Sequence, residues 1–253
     1  MLRKLLCLFI ILCVTVPITC FAVTSNTNND IEEFTLVEGN MYISLPSSWY
    51  TNTQEKIDKD FLLVSENNER KLKKYLKQQS IMYNLVSKDL TQEINVVLQK
   101  DSGTEVVFDL NTIDDKELIN EAEMAVNQNN EDNKEESAIV YSDYAVEKIN
   151  ECKYIILKGK LKSENQSGKI VQYSTTINGY GMTISYRGYE DATFEAGDEL
   201  MEKIISGIEI KEVLVSNRKS AVFKALMPIT AVTITLAGVA IYARKRKKKS
   251  DKE

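Results

Sequence analysis

The side chains able to do chemistry in this chain are acids, tyrosines and cysteine, because its 253 residues include no histidine. That removes the commonest general base and the commonest transition-metal ligand. No glycine loop is spaced to cradle phosphate, and no Gly-x-Ser-x-Gly elbow occurs. Adjacent acids stand at Asp114-Asp115 and Glu131-Asp132. Neither has the ligand spacing of a calcium loop, so both read as solvated. A carboxylate pair for glycoside hydrolysis stays open, but no spacing singles one out. Three of the four cysteines, Cys7, Cys13 and Cys20, lie in the apolar N-terminal segment. Cys152 alone is expected in the mature chain, as a buried or half-buried residue, with an intermolecular thiol as the alternative. The expectation is therefore no catalytic residue, no metal and no cofactor. What remains is aromatic. The stretch Lys169–Tyr189 carries Tyr173, Tyr180, Tyr186 and Tyr189, and Trp49 is the single tryptophan. Such rings serve as core or as a binding face. Trp49, Tyr180, Tyr186 and Tyr189 are the candidate ligand or partner surface.

These residues need elements to position them. Phe34–Glu38 and Met41–Leu45 read as two strands about Gly39-Asn40, and Pro46-Ser47-Ser48-Trp49 ends the second. Trp49 is expected against a sheet edge. Asn68–Gln79 is a basic amphipathic helix with Leu72, Tyr75, Leu76 and Gln79 on one face. Ile81–Ser87 and Glu93–Gln99 are rich in strand formers, and Glu105–Phe108 is apolar but short. Asp114 is placed to cap a helix bearing Leu118, Ile119, Ala122, Ala125 and Val126 on one side. Asn127–Glu136 has no apolar residue and reads as an exposed loop. Ile139–Ile149, Tyr154–Lys162, Lys169–Ile177 and Tyr180–Tyr186 follow as four strands. Asn178-Gly179 between the last two is a strong hairpin signal. Ala192–Ile208 closes the domain as an amphipathic helix through Phe194, Leu200, Ile204, Ile205 and Ile208, with Ile208-Glu209-Ile210 as a possible short strand.

Both ends have a different composition. Met1–Ala22 has the pattern of a signal peptide: Arg3 and Lys4, an apolar run from Leu5 to Val16, then Cys20-Phe21-Ala22 as the cleavage site. Lipidation at Cys20 is the alternative. Residues 23–32 read as a flexible leader, residues 33–210 as one extracytoplasmic domain, and 211–224 as a stem. The first ten stem residues, Lys211–Ser220, reach at most roughly 33 Å. Ala225–Ala243 is free of charge. As a helix it spans roughly 28 Å, close to the thickness of a bilayer core. Pro228 falls in its first turn, and Lys224 can snorkel at its edge. Arg244, Lys245, Arg246, Lys247, Lys248 and Lys249 follow at once and are expected to stay cytoplasmic. The alternatives are a buried core helix for the run and recruitment of anionic lipid for the tail.

Charge follows the same division. Of 32 basic residues, two lie in the signal segment, one at the anchor edge and seven in the tail; two of 37 acids also lie in the tail. The intervening part keeps 22 basic against 35 acidic residues, a net −13. That sign disfavours nucleic acid as a partner and disfavours flat docking on anionic lipid.

The order of these pieces resembles the PsbP-like family, a fold shared by the photosystem II extrinsic protein and many exported bacterial proteins. The residues that carry the resemblance are FTLVEGNMYISLPSSW at Phe34–Trp49, then YIILKGKL, VQYSTTI and GMTISYRG, and the closing FEAGDELMEKIISGI. KLKKYLKQQSIMYNLVSKDLTQEINVVLQ is similar to what membrane-anchored members carry. The resemblance covers most of Glu33–Glu209. It implies an α+β fold with an antiparallel sheet between helices, and action by binding other proteins. The photosystem members lack such an anchor, so no photosynthetic role is carried over. The reading is a single-pass cell-membrane protein whose N-terminal domain stands outside the cytoplasm as a binding or scaffold module with an envelope-protein partner. A small-ligand receptor is the first alternative and a carboxylate-dependent envelope hydrolase the second.

Overall fold

The computed structural model describes residues 31–36, 39–65, 67–101, 103–104, 107–132, 139–162, 167–189 and 191–214. Met1–Ala22, Ala225–Ala243 and Arg244–Glu253 lie outside them. Among the described residues no helix is long and apolar enough to cross a membrane.

The fold is α+β with two antiparallel sheets. Strands β1 (Ile31–Leu36) and β2 (Met41–Pro46) form a hairpin in which Leu36 faces Met41. A third short strand, β10 (Glu209–Ile210), pairs with Tyr42 and Met41 on the other side of β2. The expected opening strands therefore build a small sheet of their own, and β1 begins at Ile31, inside the expected leader. The larger sheet has seven strands: β3 (Tyr50–Thr53), β4 (Ile81–Val86), β5 (Gln92–Gln99), β6 (Ile139–Ile149), β7 (Cys152–Lys162), β8 (Ser167–Ile177) and β9 (Tyr180–Gly188). Their order across the sheet is β3-β4-β5-β9-β8-β7-β6. Asn178 and Gly179 both take positive φ, 54° and 75°, so the two-residue turn between Ile177 and Tyr180 forms as its sequence predicts.

Among the described residues four α-helices cover the larger sheet: α1 (Lys59–Ser65), α2 (Glu69–Gln78), α3 (Asp115–Asp132) and α4 (Asp191–Ser206). On one face, α4 and the small sheet share a layer. Leu36, Ile43 and Leu45 meet Met201, Ile204 and Ile205 there, above Ile94, Val96, Val171 and Ile184 of the sheet. On the opposite face, α1 and α2 bury Phe61, Leu72 and Leu76 against Tyr50, Ile81, Val86 and Val97. At the far side of that face α3 buries Leu118, Ala122 and Val126 against Ile155, Leu157 and Ile170.

Local rules explain most boundaries. The Asn68 side chain accepts from the Lys71 N–H at 3.1 Å and starts α2. The Asp114 carboxylate accepts from the Lys116 N–H at 2.9 Å, and its carbonyl takes the Leu118 N–H, which starts α3. Four expectations need correction. β3 and α1 have no signature in the sequence: YTNT lacks an apolar alternation, and seven residues are too few to show a helical period. Ile119 is exposed, while Leu118, Ala122, Ala125 and Val126 are buried as expected. Of the expected loop Asn127–Glu136, residues 127–132 continue α3, and 133–136 lie outside the described residues. Asn129 Nδ2 donates to the Ile139 carbonyl and Asn130 Nδ2 to the Tyr141 carbonyl, each at 2.8 Å, so amides replace apolar contacts against β6. Finally, the domain runs past residue 210. Lys211 N–H donates to the Asn40 carbonyl, the Asn178 amide donates to the Glu212 carbonyl at 2.9 Å, and Asn178 Oδ1 accepts from the Leu214 N–H at 2.7 Å.

Candidate functional site

The candidate aromatic residues do not share a surface. Trp49 is buried in the main core, among the residues between the two sheets. Tyr186 is fully buried, with its hydroxyl donating to Gln92 Oε1 at 3.1 Å. Its ring lies against Gly197 of α4, where an added Cβ would overlap the ring. Both are corrected from candidate surface to core: the layer formed by α4 and the small sheet covers the face from which they project. Tyr180 is half-buried, with Lys100 Nζ 5.5 Å from the ring centre. Tyr189, half-buried beyond the end of β9, donates its backbone N–H to the Thr91 carbonyl at 3.0 Å. Tyr180 and Tyr189 stand at opposite ends of β9. Cys152 is buried, as expected, and burial, with Asp109 adding, pushes its thiol up to about 11. It is therefore a protonated, weakly nucleophilic thiol at neutral pH.

A polar row inside the larger sheet went unread in the sequence. Asn52, Asn84, Asn95, Ser185 and Gln172 face one another in register across five neighbouring strands, β3, β4, β5, β9 and β8. All five are buried. They occupy the face that α1, α2 and α3 cover, between the two apolar patches. Asn52 Nδ2 donates to Asn84 Oδ1 at 3.0 Å, and Asn52 Oδ1 accepts from the Asp58 N–H at 3.0 Å. Asn84 Nδ2 donates to Asn95 Oδ1 at 2.9 Å and to Glu93 Oε1 at 2.7 Å. On the β8 side, the Tyr141 hydroxyl donates to Gln172 Oε1 at 3.3 Å, and Gln172 Nε2 donates to Ser174 Oγ at 3.2 Å. Ser174 and Thr183 are joined hydroxyl to hydroxyl at 3.1 Å. Burial of such groups is costly unless they are bonded, and these bonds offset it.

The row holds the charged centre of the domain. Glu93 faces Arg187 across β5 and β9, with Oε2 3.5 Å from a guanidinium nitrogen. Among the described residues these two are the buried charged side chains. Burial works against the charge on Arg187, but Tyr189 and Glu93, with Tyr75 of α2 adding, outweigh it and hold the guanidinium above its usual value. Arg187 Nε is buried and has no hydrogen-bond partner among the described residues. Glu93 thus faces a permanent cation rather than a second carboxylate. That is the arrangement of an interior ion pair, not of paired acids that divide acid and base roles.

The other acids singled out by spacing also have structural partners. Asp114 caps α3, and Asp115 pairs with Lys153 Nζ at 2.7 Å. The side chains of Glu131 and Asp132 lie outside the description. Among the described residues no group of three or more Cys, Asp or Glu side chains could hold a metal ion.

Comparison with known proteins reaches the fold only. No protein-family model matches the chain, and no curated protein matches it by sequence. Among the solved structures similar to this chain, three illustrate the likeness. Cyanobacterial PsbP (CyanoP) from Synechocystis shares 8% identity over 75% of this chain and 98% of its own, with a TM-score of 0.48. A Bacteroides thetaiotaomicron protein shares 12% over 71% of this chain and 48% of its own, with a TM-score of 0.39. The Saccharomyces cerevisiae Ran-binding protein Mog1p shares 8% over 72% of this chain and 96% of its own, with a TM-score of 0.37. At these identities the likeness assigns no residue a role. The topology determinants Arg244, Lys245, Arg246, Lys247, Lys248 and Lys249 lie outside the described residues.

One signal in the sequence does point to the row. Polar residues recur at every second position of Glu93–Asn95, Gln172–Ser174 and Thr183–Arg187. Alternation of that kind reads as a solvent face, and only the covering helices turn it into an interior one.

Proposed function

We propose that the chain is a single-pass envelope protein that holds this domain outside the cytoplasm and uses it to bind another protein, without catalysis. The carrying observation is the junction after the domain. Ten residues after Leu214, which is tied to Asn178, comes a charge-free run of 19 residues, Ala225–Ala243, and then six consecutive basic residues. Such a run closes its own backbone bonds as a helix in lipid, and such a tail resists transfer across the membrane. Two further features support a binding role. The buried charges are engaged with each other, and the resemblance of Phe34–Trp49 and Tyr154–Ile208 to the PsbP-like family points to protein binding. The test is crosslinking of the tagged full-length chain in cells, with mass spectrometry of what is captured. One recurrent envelope protein, with crosslinks mapping to one face, is the expected result. Capture of nothing recurrent, together with turnover of a substrate by the purified chain, would overturn the reading.

A second reading, a small-ligand receptor, is favoured by one observation: the unpartnered Arg187 Nε at the polar row. An anionic ligand seated there would raise the unfolding temperature progressively with its free concentration. The rise would disappear in Arg187→Met.

A further inference from the structure

We infer that the end of the domain from which the chain leaves for Ala225–Ala243 seats on the bilayer surface and sets the domain's orientation, taking zwitterionic lipid headgroups as its partner. This rests on the proposed anchor. Three turns gather at that end. Asn178-Gly179 joins β8 to β9, Gly39-Asn40 joins β1 to β2, and Asn150-Glu151 joins β6 to β7; Asn40, Asn150 and Asn178 all take positive φ, between 53° and 54°. Asn150 Nδ2 donates to the Ser206 carbonyl at the close of α4, and Asn178 fixes residues 212 and 214 to the same rim. The chain therefore leaves the domain as a fastened strap.

That strap carries Val213 and Leu214, 49% and 47% exposed, among the most exposed large apolar residues described. Half-buried rings surround the exit. Tyr42 lies under Lys211 Nζ at 4.1 Å, Tyr180 lies near Lys100 Nζ, and Phe108 packs on Gly179, whose N–H donates to the Phe108 carbonyl. Aromatic rings with long basic side chains and an exposed apolar step suit the interfacial zone of a bilayer, where rings sit at headgroup depth and lysines reach outward. Asp101 and Glu212 follow Lys100 and Lys211 in the sequence and keep the rim's charge mixed, so neutral headgroups fit better than anionic ones. Only residues 215–224 separate Leu214 from the apolar run, and ten residues reach at most about 36 Å. The exit rim is thus confined near the surface. Of the other exposed large apolar residues described, Ile119 and Met124 lie on α3, and Leu63 and Val64 follow Phe61, which meets Tyr50 at the opposite end of the sheet and so faces away.

The test uses the full chain in phosphatidylcholine vesicles that contain lipid with a headgroup-depth quencher. An environment-sensitive fluorophore is attached through Glu212→Cys or, in a second protein, Leu63→Cys, each in a background of Cys7→Ser, Cys13→Ser and Cys20→Ser; Cys152 is buried and stays unlabelled. Flotation with the vesicles is scored first, because failure to float would overturn the anchor and the docking with it. In floating protein, quenching severalfold stronger at 212 than at 63 is expected. The contrast should be lost in Val213→Ser/Leu214→Ser and in Val213→Asp/Leu214→Asp, with flotation and unfolding temperature retained. Equal quenching at the two positions in floating protein, or quenching at 212 that survives both double variants, would overturn the docking and leave the anchor standing.

Discussion

The two faces of the seven-stranded sheet are stabilised in different ways. The face under α4 is filled by volume: Ile94, Val96, Val171, Ile184 and Tyr186 form a continuous apolar surface with α4 and the small sheet. The face under α1, α2 and α3 is apolar at either side and polar through the middle, where Asn52, Asn84, Asn95, Ser185 and Gln172 lie in register. Volume tolerates exchange among apolar shapes. A buried polar row does not, because each amide has a fixed partner and a slip by one residue would send every one of these groups to the other face. Side chains suited to chemistry are here consumed in holding a register, and Glu93 and Arg187 belong to that row.

The difference can be broken at its charged centre. Glu93→Ala leaves Arg187 as an uncompensated buried cation and should cost about 3–5 kcal/mol in urea unfolding. Glu93→Gln/Arg187→Met removes both charges and should recover most of that loss. A double variant no more stable than Glu93→Ala would show that the pair is not the unit. On the filled face, Gly197→Ala sets a methyl group into the buried Tyr186 ring. Alanine ordinarily favours a helix over glycine by about 1 kcal/mol, yet overpacking should reverse the sign and destabilise the domain by about 1–3 kcal/mol. Calorimetry that finds Gly197→Ala more stable would contradict the packing described.

At the rim where both faces end, Asn178→Ala loses two bonds to residues 212 and 214 and puts alanine at φ 54°. A loss of about 1–2 kcal/mol is expected, with Asn178→Gly recovering the backbone part. A further effect is alkaline. Burial raises the Cys152 thiol to about 11 and Tyr173 to about 12, and it raises Tyr154 in the same direction. Each folded value lies above the unfolded one, so this stability is complete below pH 9 and is lost as pH rises through 9 to 12. All three residues belong to the filled face. Cys152→Ala should flatten the decline between pH 9 and 11, and an unchanged slope would remove the thiol from the account.

Local physics made part of this legible. Asn178-Gly179 demands two positive φ values, so the last hairpin could be read directly. Leu72 with Leu76, and Asp114 before Leu118, mark two helices by spacing and cap. The remainder depended on partners distant in sequence. Asn129 and Asn130 continue α3 because β6 supplies carbonyls to them. Trp49 and Tyr186 are interior because α4 and the small sheet lie over them, which ring chemistry alone does not decide. Glu93 meets Arg187, 94 positions later, only through the pairing of β5 with β9.

We propose that this domain stands outside the cytoplasm on a C-terminal anchor. Protease added to intact protoplasts tests it most directly, read with one antibody against the domain and another against a tag after Glu253. The account predicts loss of the domain signal and survival of a small membrane fragment that retains the tail. A domain protected until the membrane is lysed would contradict it.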